Sequence, residues 1–204
     1  MDKLDLTKQL KQFYNPPKGA MQEVIVPAFN FLMIDGEGDP NTSESFMNAV
    51  EIMYGVSFTL KFMIKAELSK DYKVMPLEGL WWADDMASFI TGNKKDWKWT
   101  VMIHQPEFVT KDHFNAAVKK YSEKKKKDVS GIIRFETYKE GRSIQVLYIG
   151  AYKDEGPVIA EMHKYIESLG CTRTSLHHEI YLSDARKTPP EKLRTIIRQP
   201  FSIS

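Results

Sequence analysis

Pro76-Leu-Glu-Gly-Leu-Trp-Trp-Ala-Asp-Asp85 is followed, after a polar connection, by Trp99-Thr-Val-Met-Ile-His-Gln-Pro106. Near the end of the chain the same order returns. Ser175-Leu-His-His-Glu-Ile-Tyr-Leu-Ser-Asp184 leads through a second polar connection to Leu193-Arg-Thr-Ile-Ile-Arg-Gln-Pro200. Each time an apolar-aromatic strand ends in aspartate and a second strand closes on Gln-Pro. Aligned without gaps, Leu77 meets Leu176, Leu80 meets Glu179, Trp82 meets Tyr181 and Asp85 meets Asp184. Upstream, Phe31-Leu-Met-Ile-Asp-Gly36 and Gln145-Val-Leu-Tyr-Ile-Gly150 are strands running into glycine turns. Amphipathic helices follow both. Phe46, Val50, Met53, Leu60 and Ile64 mark the first, with Asn41 as its cap. Ile159, Met162, Tyr165 and Ile166 mark the second, with Gly170 as its stop.

The pattern predicts an α+β protein of duplicated strand-helix-strand-strand (βαββ) modules with pseudo-two-fold symmetry and a central ligand cleft. The whole chain, 1–204, reads as a single domain. A short N-terminal helix lies within 1–20, with Leu4, Leu6 and Leu10 as its apolar positions. The first half covers about 28–106, a linking helix and strand 110–140, and the second half about 142–204. The linking helix runs from Thr110 to Asp128 and ends in the solvated charge run Glu123-Lys-Lys-Lys-Lys-Asp128. Arg134 to Tyr138 is a separate short strand.

Composition narrows the function classes. Of 204 residues, 42% are apolar, enough for a sizeable core. With 29 Lys and Arg against 27 Asp and Glu, a net charge of +2 gives no argument for nucleic acid. The single cysteine, Cys171, fits a reducing cytosol, and a small buried thiol is its simplest role. The charged N-terminus is no secretory signal, and no apolar run approaches the roughly 18 residues of a membrane span. A soluble cytoplasmic protein is expected, without a membrane or nucleic-acid partner; any protein partner is unspecified.

All four tryptophans lie in or beside the first pair of strands. His177, Glu179 and Tyr181 share one face of the late strand, while His178, Ile180 and Leu182 share the other. Glu179 then faces the groove as a carboxylate among aromatics, or stands as a half-exposed edge residue. The alignment puts Trp82 beside Tyr181 and makes Trp81 core, although a one-residue slip exchanges the two tryptophans. Trp97 and Trp99 share a face, and Tyr148 ends the strand before the second helix. A cage of Trp82, Trp99, Tyr181 and Glu179, with Trp81, Trp97, Tyr148 and His177 as further members, suits planar apolar or cationic molecules. Core packing alone explains an isolated tryptophan, whereas four within about twenty residues on paired strands favour a cage.

Other motifs carry less. His177 and His178 point apart, so they do not chelate together, and no third ligand joins His177 and Glu179: no metal is expected. Asp84 and Asp85 have no further carboxylates with them. Gly36-Glu-Gly-Asp-Pro40 lacks the Gly-Lys-Ser/Thr of a phosphate loop. No nucleophile elbow surrounds any serine.

The duplicated unit ending in HHEIYLSDARKTPPEKLRTIIRQP, residues 177–200, resembles the GyrI-like small-molecule-binding family, which includes effector domains of multidrug-responsive regulators. Ser183-Asp-Ala-Arg-Lys-Thr-Pro-Pro-Glu-Lys-Leu193 is similar to that family's last hairpin, with Ala185 where a proline is expected. EGLWW, WKWTVMIHQP and HHEIYLSD resemble its stand-alone branch, some of whose members hydrolyse cyclopropane-bearing, DNA-alkylating natural products. The resemblance implies that Glu179 acts in an aromatic pocket as a general base, with Tyr181 or Tyr148 as hydrogen-bond donor and Trp82 and Trp99 as clamps. It implies no organic cofactor. It equally fits a non-catalytic sensor or sequestering module, or a protein that masks a partner. No helix-turn-helix fits before the repeat.

Overall fold

The computed structural model describes residues 3–84 and 94–203. Asp85, which the repeat pairs with Asp184, lies outside them. The chain forms two compact units. One holds Met1–Leu6, Phe29–Met75 and Gly79–Tyr138; the other holds Thr7–Ala28, Pro76–Glu78 and Lys139–Ser204. Both are mixed α and β, so the α+β class holds.

The N-terminus is not one helix. It forms two single turns, α1 (Leu6–Gln9) and α2 (Lys11–Tyr14). The first unit takes the later part of β1 (Gln22–Glu37), then α3 (Glu44–Leu68), most of β2 (Leu77–Trp82), β3 (Lys98–Gln105), α4 (Lys111–Lys125) and the start of β4 (Arg134–Ile149). β1 and β3 pair antiparallel, with Ile34 opposite Val101 and Gly36 opposite Trp99.

Helix α3 starts at Ser43, not Asn41. The Ser43 hydroxyl accepts the Phe46 N–H, whereas the Asn41 N–H donates to the Asp39 carboxylate in the preceding turn. Ala49, Ile52, Met53, Val56, Leu60 and Ile64 form its buried stripe. Gly55 lets α4 approach closely, because a methyl there would overlap the Tyr121 ring. Thr110 and His113 make a reciprocal cap at the start of α4.

In the second unit β7 (Arg194–Ile203) is central. It pairs antiparallel with β4, with β5 (Cys171–Arg173) and with β6 (His177–Tyr181). Between β4 and β5 lies α5 (Gly156–Ser168). Its Met162 and Ile166 pack on Ile144, Val146, Ile197, Phe201 and Cys171. Burying each such side chain contributes on the order of 1.5–3 kcal/mol. Cys171 is buried there, as expected.

Arg134–Tyr138 and Gln145–Ile149 are not separate strands. Both belong to β4, which runs through Gly141 at φ +83°. Glycine permits that left-handed kink without ending the strand.

Gly36 sits beneath the fully buried Trp99 ring, and a methyl on it would overlap the indole. Gly36→Ala should therefore destabilise the protein by about 1–3 kcal/mol. Urea unfolding followed by tryptophan fluorescence checks this; an unchanged midpoint would refute the packing described.

Candidate functional site

Burial along β6 alternates as its sequence requires. His178 and Ile180 are buried, while His177, Glu179 and Tyr181 are partly exposed on the opposite face. The three exposed-face side chains are hydrogen-bonded in a row. The Tyr181 hydroxyl donates to Oε2 of Glu179 at 2.8 Å. Oε1 of Glu179 lies 3.2 Å from Nε2 of His177. The Glu179 and His177 side chains keep only 15% and 13% of their exposure. The Tyr152 ring meets Tyr181 edge-on, with centroids 5.5 Å apart. Both oxygens of the carboxylate are thus engaged, one by a phenol and one by an imidazole nitrogen.

Tyr148 is not part of the row. Its hydroxyl donates to the Ala151 carbonyl at 3.1 Å. Its pKa is raised by partial burial and by Glu155 and Asp154.

The tryptophans divide. Phe46 stacks on Trp81 at 5.9 Å and meets Trp99 edge-on at 5.0 Å. Trp97, in the turn before β3, meets Trp81 edge-on at 5.9 Å, with the Lys94 ammonium 5.1 Å over its ring. Trp81 and Trp99 are 5% and 1% exposed, so both pack into the core of the first unit. Trp97 is half-buried at its margin, and Trp82, on the other face of β2, is half-buried too. Of the two adjacent indoles, Trp81 is the core residue.

Behind β6 lies a polar cluster that sequence reasoning missed. Nε2 of His178 is 3.0 Å from Glu78, and Nδ1 is 3.0 Å from Glu140. Arg198 lies opposite His178 on β7; its Nη1 donates to Glu140 at 2.9 Å. Its Nη2 donates to the Phe13 carbonyl at 2.6 Å and to Gln145 at 3.0 Å. The Tyr14 hydroxyl donates to Glu78 at 2.9 Å. All these side chains are buried. Burial opposes charge on His178, but Glu140 and Glu78 outweigh it and raise its pKa to about 9. Burial likewise opposes charge on Glu140, and His178 and Arg198 outweigh it, lowering its pKa to about 2. Burial, with the nearby Glu78 charge, holds the Tyr14 pKa well above its ordinary value. The signal was present in the alternation: His178 occupies an apolar-face position beside Ile180.

A groove of about 730 Å³ runs along α4, with Lys111, Lys119 and Lys126 among its lining residues and Phe114, Val118 and Ile133 at its floor. None of the expected site residues lines it. Among the described residues no cluster of metal-ligating side chains occurs, and no helix is long and apolar enough to cross a membrane.

Residues 20–201 match the model of the GyrI-like small molecule binding domain, and the chain belongs to that family. A structure of an uncharacterized conserved protein from Listeria innocua shares 37% identity over 98% of this chain and 100% of its own, with a TM-score of 0.90. A hydrolase from Listeria innocua shares 35% identity over 98% of this chain and 100% of its own, with a TM-score of 0.85. The EcmrR C-terminal domain is alike in fold alone, with 12% identity, coverage of 91% and 97%, and a TM-score of 0.57. Among the curated proteins none matches.

The His178 cluster sets a pH dependence. The folded pKa of His178 is raised, so its contribution is complete below about pH 6.5 and lost as pH rises toward about 9. That of Glu140 is lowered, so its contribution is complete above about pH 4.5 and lost as pH falls toward about 2. Each amounts to about 3 kcal/mol, and the two are coupled, not additive. Glu140→Gln leaves His178 and Arg198 undercompensated and should cost about 3–5 kcal/mol at neutral pH. Urea unfolding across pH measures both; a Glu140→Gln loss below about 1 kcal/mol would contradict the cluster.

Proposed function

We propose that the protein binds planar aromatic or cationic small molecules and hydrolyses strained, cyclopropane-bearing DNA-alkylating compounds. The observation that carries this reading is the Glu179 carboxylate held between Tyr181 and His177. It is supported by the family, whose domain binds small molecules, and by the Listeria innocua relative described as a hydrolase. The finer fold reading belongs to the same proposal: residues 30–105 and 143–201 are copies of one unit, which superposition of the two segments tests. So does a cytoplasmic site of action.

The chemistry needs no metal or organic cofactor in this proposal, because the electrophile carries its own activation. A cyclopropane fused to a conjugated dienone opens when water attacks its unsubstituted carbon. One carbon–carbon bond breaks, a carbon–oxygen bond forms, and the electron pair moves to the distant carbonyl oxygen. That oxygen becomes a phenolate as the ring aromatises. Glu179 takes the proton of the attacking water, an effect typically worth about 10²–10⁴-fold in rate. The phenolate is then protonated, so water has been added overall. A tyrosine that donates to the developing oxyanion must first release its present acceptor, Glu179 for Tyr181 and the Ala151 carbonyl for Tyr148. Within the first unit, half-buried Trp82 offers an indole face for stacking a planar ligand, with Trp81 and Trp99 packed in the core.

Glu179→Gln keeps the shape and removes the base. It should bind such compounds with unchanged affinity and lose at least about 100-fold in kcat, read by product mass and by ligand quenching of tryptophan fluorescence. Trp82→Ala should instead weaken binding. If Glu179→Gln retains full turnover, Glu179 is not the base. Tight binding by wild type without any turnover would replace hydrolysis by a sensing or sequestering role.

A further inference from the structure

The family's domain model begins at residue 20. The segment before it nevertheless enters the buried cluster behind β6. Tyr14 donates to Glu78, and Glu78 in turn accepts from His178. The carbonyl of Phe13 accepts from Arg198, which holds Glu140, the other partner of His178. The Gln12 carbonyl accepts from Gln145 at 2.6 Å, and Gln145 also holds Arg198. Three successive residues of the N-terminal segment thus reach His178 by two routes, Tyr14 through Glu78, and Gln12 and Phe13 through Arg198 and Glu140. Phe13 and Tyr14 are each 4% exposed.

His178 is the residue before Glu179. Its side chain turns about its own Cα–Cβ bond, but the bonds that hold it also limit how far the β6 backbone shifts at that position. What holds His178 therefore helps to hold the backbone from which Glu179 projects on the opposite face. β6 is five residues long and pairs antiparallel with β7.

We propose that the N-terminal segment is a positioning element for Glu179, with Tyr14 as its principal positioning residue acting through Glu78 and His178. The inference rests on the reading of Glu179 as the reactive carboxylate. The Tyr14 hydroxyl neither touches substrate nor exchanges protons with it. It sets the geometry of Glu78, which holds one nitrogen of His178 while Glu140 holds the other. A shift of the carboxylate by a fraction of an ångström lowers the rate of the chemical step more than the affinity.

The test compares Tyr14→Phe with Tyr72→Phe. Tyr72 is also almost fully buried, at 2% exposure, but has no part in the cluster. Three readouts are taken for both: kcat on a cyclopropane-bearing substrate, Kd by tryptophan quenching, and amide hydrogen exchange over residues 177–181. For Tyr14→Phe, kcat should fall about 5- to 50-fold with Kd unchanged, and exchange in β6 should quicken about tenfold or more. For Tyr72→Phe, kcat and β6 exchange should stay at wild-type values. Equal behaviour of the two variants would overturn the inference, as would unchanged kcat and exchange in Tyr14→Phe. If Tyr14→Phe does not fold, Gln145→Leu, which releases the Gln12 carbonyl and one acceptor of Arg198, is read in the same way. If wild type turns nothing over but β6 exchange still depends on Tyr14, the hydrolase reading fails and the tether stands. If turnover occurs and exchange is indifferent to Tyr14, the reverse holds.

Discussion

A histidine without access to water, held between two carboxylates, organises the second unit. Glu78 comes from β2, Glu140 from β4, His178 from β6 and Arg198 from β7. Two acidic and two basic side chains share one buried volume, and each finds hydrogen-bond partners there. An isolated charge in such a place would cost several kcal/mol, so the cluster stands or falls together. The apolar contacts of α5 with β4, β5 and β7 bury Met162 and Ile166 against Ile144, Val146, Cys171, Ile197 and Phe201. They are non-directional and tolerate small slides. The cluster does not, because each bond has a donor, an acceptor and a length.

The division of labour between the two faces of β6 follows. One face is closed and charge-balanced. The other carries Glu179 with His177 and Tyr181, partly open and with a carboxylate oriented by its neighbours. In the proposed function Glu179 is a reactive group on a short strand, and such a group needs rigid support, since loops and strand ends open most readily. Here the support is polar, not apolar, and it comes from residues distant in sequence.

The periodicity of the chain made much of this legible. Alternation placed His177, Glu179 and Tyr181 together and turned His178 away, and the pairing of β6 with β7 follows that order. The helical stripes were readable in part: Met53, Leu60 and Ile64 of α3 and Met162 and Ile166 of α5 are buried, whereas Tyr165, expected with them, is exposed. Caps and breaks were less so. Ser43 displaced Asn41 because the chain turns once more before α3, and Gly141 bends β4 where local pattern suggested two strands. The tryptophans show a different limit. Four indoles close in sequence do not reveal how they share a core, and Trp99 is buried because Gly36 opposite leaves room for its ring. Apart from His178 on the apolar face of β6, the buried cluster was illegible for a stronger reason. Its members are scattered from Tyr14 to Arg198, and no local rule joins a tyrosine, two glutamates, a histidine and an arginine.

Why the chain keeps charges where apolar residues of similar size would pack is answered by register. Replacing a buried ion cluster with well-packed apolar side chains is often neutral or stabilising. Apolar residues would, however, let β6 slide on β7. A slip of one residue exchanges the faces of the strand. It would carry Glu179 or His177 into the position of His178. Glu179 there would face Glu78 and Glu140 in a buried space, and three carboxylates so close repel one another strongly. His177 there would remake the contacts of the cluster, but it would turn His178 outward and set Ile180 on the open face with Tyr181 buried. Neither alternative keeps both the charge balance and the apolar packing of Ile180. The native register keeps both, and it leaves Glu179 as the one carboxylate of β6 on the open face, between an imidazole and a phenol.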